Sequence, residues 1–471
     1  MRIKHIISLA ISITAIAAGA ATLDDGKKLM NEGDYAQALQ IFKEQVRKSP
    51  SSGNANYWLG VCLYKSGNAG EAIKYLEVGV KKRVTEAGRY LALANYAEYN
   101  FEDAADAITQ YESHLKRNKK TLPDDMVALR KKTVIAQGLL DHVEKIVIID
   151  SISVPKAQFY KAYKLPPSAG SLSGGEALPP QFSGAGVDVV HATEEGDRLL
   201  WSLSDTVTGG SLHEASRLLD GTWESQELPA EVLADGGDMA YPFLMQDGIT
   251  IYYAIDCESS IGGYDLFMSR RDIDDGQYLG PQNLGMPYNS PFDDYMLAID
   301  EENNIGWWAT DRNRIPDSVT IYTFIPNKTR QNYNSDDEED VKSRALIRDY
   351  RSTWEGQSYT MQAMKAREVK TAATGETPDF EFKVSNGRVC TKLSDFKSSE
   401  ARRLMKKLLS MQETQSGKEA QLKERRRQYA AATATKRASL TDAILRLEEE
   451  VEKGRADIEW TANSIRKLEQ Q

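Results

Sequence analysis

The stretch from Asp238 to Arg270 constrains the fold more than any other part of the chain. It joins a polar turn, Gln246-Asp247-Gly248, to two strand-like runs, Ile249 to Ile255 and Tyr264 to Ser269, separated by the Gly262-Gly263 break. Such a pattern predicts a β-hairpin, and it recurs. Asp188, Asp238 and Asp294 head three copies, 50 and then 56 residues apart. Trp201 and Trp307 stand at matching places in the outer copies, as do Asp205 and Asp311, with Tyr252 and Asp256 one position later in the middle copy. A lone hairpin is marginal in water, and a period in this range fits one blade of a radially repeated β-sheet structure.

A second repeat, with a different period, precedes it. Gly26, Gly33, Ala38 and Phe42 recur as Gly60, Gly67, Ala72 and Leu76, each 34 residues later. Small residues belong where two antiparallel helices approach closely, and the large apolar residue four positions after the Ala fills the gap between them. Pro50 cannot continue a helix and ends the first unit. A third unit follows with a two-residue shift, through Leu91-Ala92, Phe101, Ala104, Ile108 and Tyr111. This is the period of the tetratricopeptide repeat (TPR), so residues 21–145 are read as an α-solenoid of TPR-like helical repeats.

A chain of 471 residues is too long for one core. Its first twenty residues place Arg2 and Lys4 before an apolar run from Ile6 to Ala17, then Ala18-Gly19-Ala20. That order is the pattern of a cleavable signal peptide, and it predicts export to the periplasm. No later apolar run reaches a membrane-spanning length. With 59 basic against 69 acidic residues the net charge is −10, which argues against nucleic acid as the main partner. Three cysteines, Cys62, Cys257 and Cys390, are too few for a disulfide-built scaffold. They are read either as buried thiols or, for Cys257 with Cys390, as one bridge.

No catalytic constellation is visible. His114, His142, His191 and His213 lack metal-ligand spacing, and the chain has neither a Gly-rich phosphate loop nor a nucleophile elbow. No enzyme activity, cofactor or metal is therefore expected. The candidate binding surface consists of the aromatic and acidic residues Tyr252, Tyr253, Asp256, Trp307, Trp308 and Asp311. Alternation along a strand is expected to turn one of each adjacent aromatic pair outward, where it could serve as a binding hot spot. The repeated aspartates are read as turn-stabilising acceptors or as the lining of a polar channel.

Asn283-Leu284-Gly285, Tyr288-Asn289-Ser290, Asp293-Asp294 and the run Gly262-Gly263-Tyr264-Asp265-Leu266-Phe267 resemble the WD40-like (PD40) β-propeller repeats of TolB-like proteins and of many Bacteroidetes envelope proteins. A TPR segment followed by such a propeller behind a signal peptide is similar to periplasmic components of the type IX secretion machinery, without their OmpA-like domain. The resemblance spans residues 25–330. It implies a non-enzymatic scaffold in envelope assembly or secretion whose partners are envelope or secretion-system proteins. A glycan-binding or glycan-processing propeller is the alternative, and it requires Asp256, Asp311, Trp307 and Glu258 to converge on a pocket.

The expected order is a signal peptide (1–20), TPR-like helices (21–145), a propeller (146–330) completed by 377–395, an acidic linker and helix (331–376), and a long helical hairpin (396–471). Closure is expected from Ile146 to Val154 pairing with the strands around Asn386-Gly387, making a fourth blade. The acidic run Asp336 to Asp340 leads into a helical pattern running from Val341 to Arg367. At the C-terminus, Leu440, Ile444, Leu447, Val451, Gly454, Ile458, Thr461, Ile465 and Leu468 keep a heptad seam. A matching seam runs from Leu404 to Ala432, and the two predict an antiparallel hairpin or coiled coil that docks on its own domain, a second copy or another protein. Peripheral association with the outer membrane and self-association through the hairpin both stay open.

Overall fold

The computed structural model describes residues 21–184, 186–205, 209–218, 220–360, 362–363, 366, 382–384, 389–390, 393–430 and 434–469. The chain divides into two units, residues 1–370 and 371–471.

The first unit opens with seven helices: α1 (Leu23–Asn31), α2 (Tyr35–Lys48), α3 (Gly53–Lys65), α4 (Ala69–Lys81), α5 (Ala87–Ala97), α6 (Phe101–Arg117) and α7 (Asp124–Leu140). Local chemistry sets their ends. Thr22 and Asp25 form a capping box on α1, and the side chains of Asp34 and Ser52 accept from Gln37 and Ala55 amides at the starts of α2 and α3. Gly33 and Gly67, one repeat apart, both take a left-handed backbone in the turn that follows a helix. The repeat also fixes the packing. A Cβ at Gly26 would lie 2.6 Å from the Phe42 ring, and one at Gly60 would lie 2.6 Å from Leu76 Cγ. The glycines thus let paired helices close on the large residue that the 34-residue period places opposite.

Each of the three β repeats forms its own antiparallel sheet. The first contains β2 (Ser171–Ser173), β3 (Val187–Ala192), β4 (Arg198–Asp205), β5 (Gly209–Arg217) and β6 (Trp223–Glu227) in that order. The second contains β7 (Asp238–Leu244), β8 (Thr250–Asp256), β9 (Asp265–Arg270) and β10 (Gln282–Asn283). The third contains β11 (Asp294–Asp300), β12 (Ile305–Thr310) and β13 (Ser318–Ile325), and its outer strand is β1 (Val147–Pro155). The leading strand of each repeat bulges at a matching point, between Val187 and Val190, Ala240 and Phe243, and Tyr295 and Ala298. Successive sheets are tied by hydrogen bonds to the leading strands β7 and β11: Asp238 accepts from the Gly210 amide at 3.1 Å, and the Asp294 amide donates to the Tyr264 carbonyl at 2.7 Å.

Two expectations about closure are corrected here. β1 pairs along its length with β13 and completes the third sheet rather than founding a fourth. Phe382–Lys383 pairs with Val389–Cys390 in a separate two-stranded sheet of the second unit. An early strand with a free edge takes whichever edge the topology presents, and β13 presents one. The outer edge of β1 is covered in turn. Thr353 Oγ1 accepts from the Ile148 amide at 3.0 Å, and Trp354 Nε1 donates to the Ile148 carbonyl at 2.7 Å, where β1 bulges away from β13.

The helical pattern after the acidic run is shorter than expected. The helix α9 (Glu338–Leu346) is capped by the Asp337 side chain and stops at Ile347, which takes a left-handed conformation and buries its side chain among Trp308, Tyr322 and Phe324. Burial in that core outweighs the propensity of the following residues to continue the helix. A short helix, α8 (Ala230–Leu233), links the first two sheets.

The second unit is built on the helices Ser399–Ala430 and Ala434–Leu468, the expected hairpin. Ile444, Val451, Thr461 and Ile465 of the predicted seam are buried. Its polar members are accommodated. Gln415 donates to the Val451 carbonyl at 2.9 Å and occupies the space beside Gly454, while Lys418 leaves the seam to pair with Glu450 at 2.8 Å.

Candidate functional site

The six residues expected to form a surface are dispersed. Every residue of β12 is buried, including Trp307 and Trp308. Alternation exposes neither, because both faces of this sheet are covered. Trp307 belongs to a core with Phe159 and Tyr295, while Trp308 packs on Tyr288, Tyr322 and Phe324. Tyr253 is also core, and its hydroxyl donates to the Leu233 carbonyl at 3.0 Å; Tyr252 beside it is half-buried. Asp256 is exposed at the end of β8, opposite Asp238, whereas Asp311 accepts from Lys156 at 2.7 Å and from the Tyr295 hydroxyl at 3.0 Å.

The repeated aspartates do gather. Tyr241 feels the charges of Asp188, Asp293 and Asp311, and Tyr264 feels those of Asp238, Asp256, Asp293 and Asp188. Burial first, and then this negative field, pushes the Tyr264 phenol up to about 12. Aromatic rings pack behind the tyrosines, while Asp293 and Asp311 line an open cleft of about 550 Å³ with Lys156. Phe159 stands edge-on to Tyr241 and Tyr295, with centroids 5.9 and 5.3 Å away, and Tyr163 donates to the Met296 carbonyl at 2.7 Å. Phe159 and Tyr163 belong to the short segment that follows β1, to which the sequence reading assigns no part in the site. Among the described residues no group of three His, Cys, Asp or Glu is placed to hold a metal.

A different face carries a more continuous arrangement. Lys27 Nζ of α1 lies 4.9 Å from the centre of the Trp58 ring; Trp58 meets Tyr57 at 4.9 Å, and Tyr57 meets Tyr90 at 6.1 Å. Tyr90 contacts Tyr64 at 6.0 Å, and the guanidinium of Arg314 stands 4.7 Å from Tyr64 and 5.7 Å from Phe292. The Arg89 guanidinium flanks Tyr90 at 5.8 Å. The row thus runs from α1 across α3 and α5 to the turn after β12, with a cation at either end. Tyr57 is buried, and the other members are half-exposed.

Electrostatics distinguish the three cations. Lys27 is paired with Asp24 at 2.8 Å and Arg89 with Asp125 at 2.5 Å, whereas Arg314 has no ion pair among the described residues, and its Nη1 has no hydrogen-bond partner there. Cation–π stacking supplies about 0.5–1 kcal/mol at exposed positions and about 2 or more where water is excluded. A row of rigid aromatic rings with interleaved cations is the composition of an interaction hot spot.

A tetratricopeptide repeat family model matches residues 29–95. The match covers α2 to α4 and most of α5, which includes Trp58, Tyr64 and Tyr90. No curated protein matches the chain. Within the repeat, sequence reasoning found the helix-packing glycines and missed the aromatic row. Tyr57 and Tyr64 stand seven residues apart on one helix face, which was the signal available. Arg314 offered none, because it reaches the repeat from a turn far along the chain.

Proposed function

We propose that this protein is an exported, non-catalytic adaptor that holds other proteins in the periplasm, in envelope assembly or secretion. Its working parts in this reading are a TPR-like helical face, a WD40-like propeller made from the three sheets, and the C-terminal hairpin. The observation that carries the proposal is the half-exposed row from Lys27 through Trp58, Tyr90 and Tyr64 to Arg314. Aromatic rings of this kind bury a large area at low entropic cost, and stacked helical repeats use such faces to bind proteins. On the hairpin, Trp460 is 68 % exposed and Leu445 56 % exposed, each a single apolar side chain open to a partner.

The glycan reading needs Trp307 as the wall of a pocket. Trp307 is core, and Glu258 is paired with Lys131 of α7 at 2.9 Å, so no observation favours it.

The test is site-specific photo-crosslinking in living cells, with the photoreactive residue at Trp58 and, separately, at Leu445. Protein adducts from the Trp58 position, in a chain recovered from the periplasm without residues 1–20, are expected. A chain that stays in the cytoplasm, or that yields no protein adduct from either position, overturns the proposal.

A further inference from the structure

At one end of the aromatic row lies a cleft of about 280 Å³, where the helical repeats, the turn after β12 and the end of α9 meet. Phe292, Tyr99 and Leu346 give it apolar walls, and Arg312, Arg314 and Arg348 give it charge against a single carboxylate, Glu98. The three guanidiniums are not equivalent.

Arg312 is fully committed to structure. It is buried, its Nε donates to Thr310 Oγ1 at 3.0 Å, and its Nη2 donates to the Tyr288 carbonyl at 2.7 Å and to Asp294 at 2.8 Å. Arg348 pairs with Glu98 at 3.0 Å, and Glu98 also accepts from the Gly70 amide at 3.0 Å in the first turn of α4. A carboxylate of the chain itself is therefore held in this corner between a guanidinium and a helix N-terminus.

Arg314 is the exception. Its side chain makes no hydrogen bond and no ion pair among the described residues, and its Nη1 is shielded from solvent without a partner. The residue nonetheless lines this cleft, and on its other side it borders a second one walled by Asp293, Asp311, Asp317 and Lys156. Tyr64 and Phe292 hold the guanidinium from two sides, so little side-chain freedom remains to be lost on binding. Buried donors ordinarily find acceptors, so this guanidinium keeps hydrogen-bonding capacity that the described residues leave unused.

We propose that this cleft receives the carboxylate of an acidic side chain on a partner protein, with Arg314 as the guanidinium that takes it. The inference rests on the adaptor reading above and names the chemistry of the segment it binds. Residues flanking the acid lie over Tyr64, Tyr90 and Trp58. The site is composite: the helical repeat supplies the rings, and the β region supplies the charge.

The experiment is fluorescence anisotropy on the full chain with a labelled peptide alternating Glu and Leu, against its Gln–Leu counterpart. The Glu peptide is expected to bind on the order of tenfold more tightly, since a charge-assisted pair to guanidinium is the stronger hydrogen bond. Arg314→Gln should erase that preference, and Arg314→Lys should restore part of it. Equal binding of the two peptides to the unaltered chain, which needs no variant to fold, overturns the inference, as does a preference that survives Arg314→Gln. Protein crosslinks from the Trp58 position that persist undiminished in Arg314→Gln sink the carboxylate assignment alone; absence of all crosslinks sinks the adaptor reading with it.

Discussion

The phenol of Tyr96, buried in α5, donates a 2.7 Å hydrogen bond to the carbonyl of Ile261, in the connection between β8 and β9. Ile261 and Met286 share one core with the helices, from Phe42 through Tyr96 to Leu129, so the helical repeats and the second sheet are joined by packing as well as by this bond. Tyr96→Phe is expected to cost about 1–3 kcal/mol, the penalty for leaving a buried acceptor without its donor. Urea unfolding of the full chain measures it, and an unchanged midpoint would show the bond to be dispensable.

The strand that follows this connection, β9, opens on a residue that gives a pH dependence. Asp265 is fully buried and accepts from the Ile261 and Gly262 amides at 2.9 and 3.0 Å, and from Asn283 at 3.1 Å. Burial outweighs these bonds and pushes its carboxyl from an ordinary 3.8 up to about 7. In that window the folded chain keeps a proton that the unfolded chain has lost. Its contribution to stability is fully present below 3.8 and is lost as pH rises through about 7. Asp265→Asn should flatten this part of the stability profile. An identical slope in both proteins across the window would refute the assignment.

Asp294 and Arg312 form an ion pair in which both side chains are almost wholly covered, at 2.8 Å. Removing one partner strands the other, at a cost of about 3–5 kcal/mol. Asp294→Ala is therefore expected to unfold readily in a thermal melt. The double replacement Asp294→Leu with Arg312→Met should recover much of the loss, because it leaves no lone charge. A double variant no better than the single one would count against this account.

Gly60→Ala exchanges a poor helix former for the best one, a gain of about 1 kcal/mol in an open helix. Here the added methyl would stand 2.6 Å from Leu76 Cγ, in a fully buried contact. Overpacking of that order costs about 1–3 kcal/mol, so the variant should melt lower than the parent. Pairing it with Leu76→Ala relieves the clash, and calorimetry of both proteins tests the sign.

The features that were legible in the sequence are those with a period. Gly26 with Phe42, and Gly60 with Leu76, repeat because every helical pair must solve the same contact, and Asp238 and Asp294 repeat because each heads the leading strand of its sheet; Asp188 keeps the spacing but stands one residue inside β3. Ile146 to Val154 was legible as a strand, but not its partner: register and neighbour depend on which edge the completed fold offers. Trp307 and Trp308 misled because a strand covered on both faces shows no alternation of exposure. The Tyr64–Arg314 contact was illegible for a further reason. It joins two segments that share no pattern, and only the seating of the helices on the sheets brings them together.

β1 lies between the helices and the sheets in the chain, but it is bonded to β13 at the far end of the β region. A cut by a protease in the passage after Pro155 would therefore separate two pieces of chain without parting two halves of the molecule. The helical repeats would stay stitched to the third sheet by a strand of their own piece, and a gel would report cleavage where a sizing column still saw one particle.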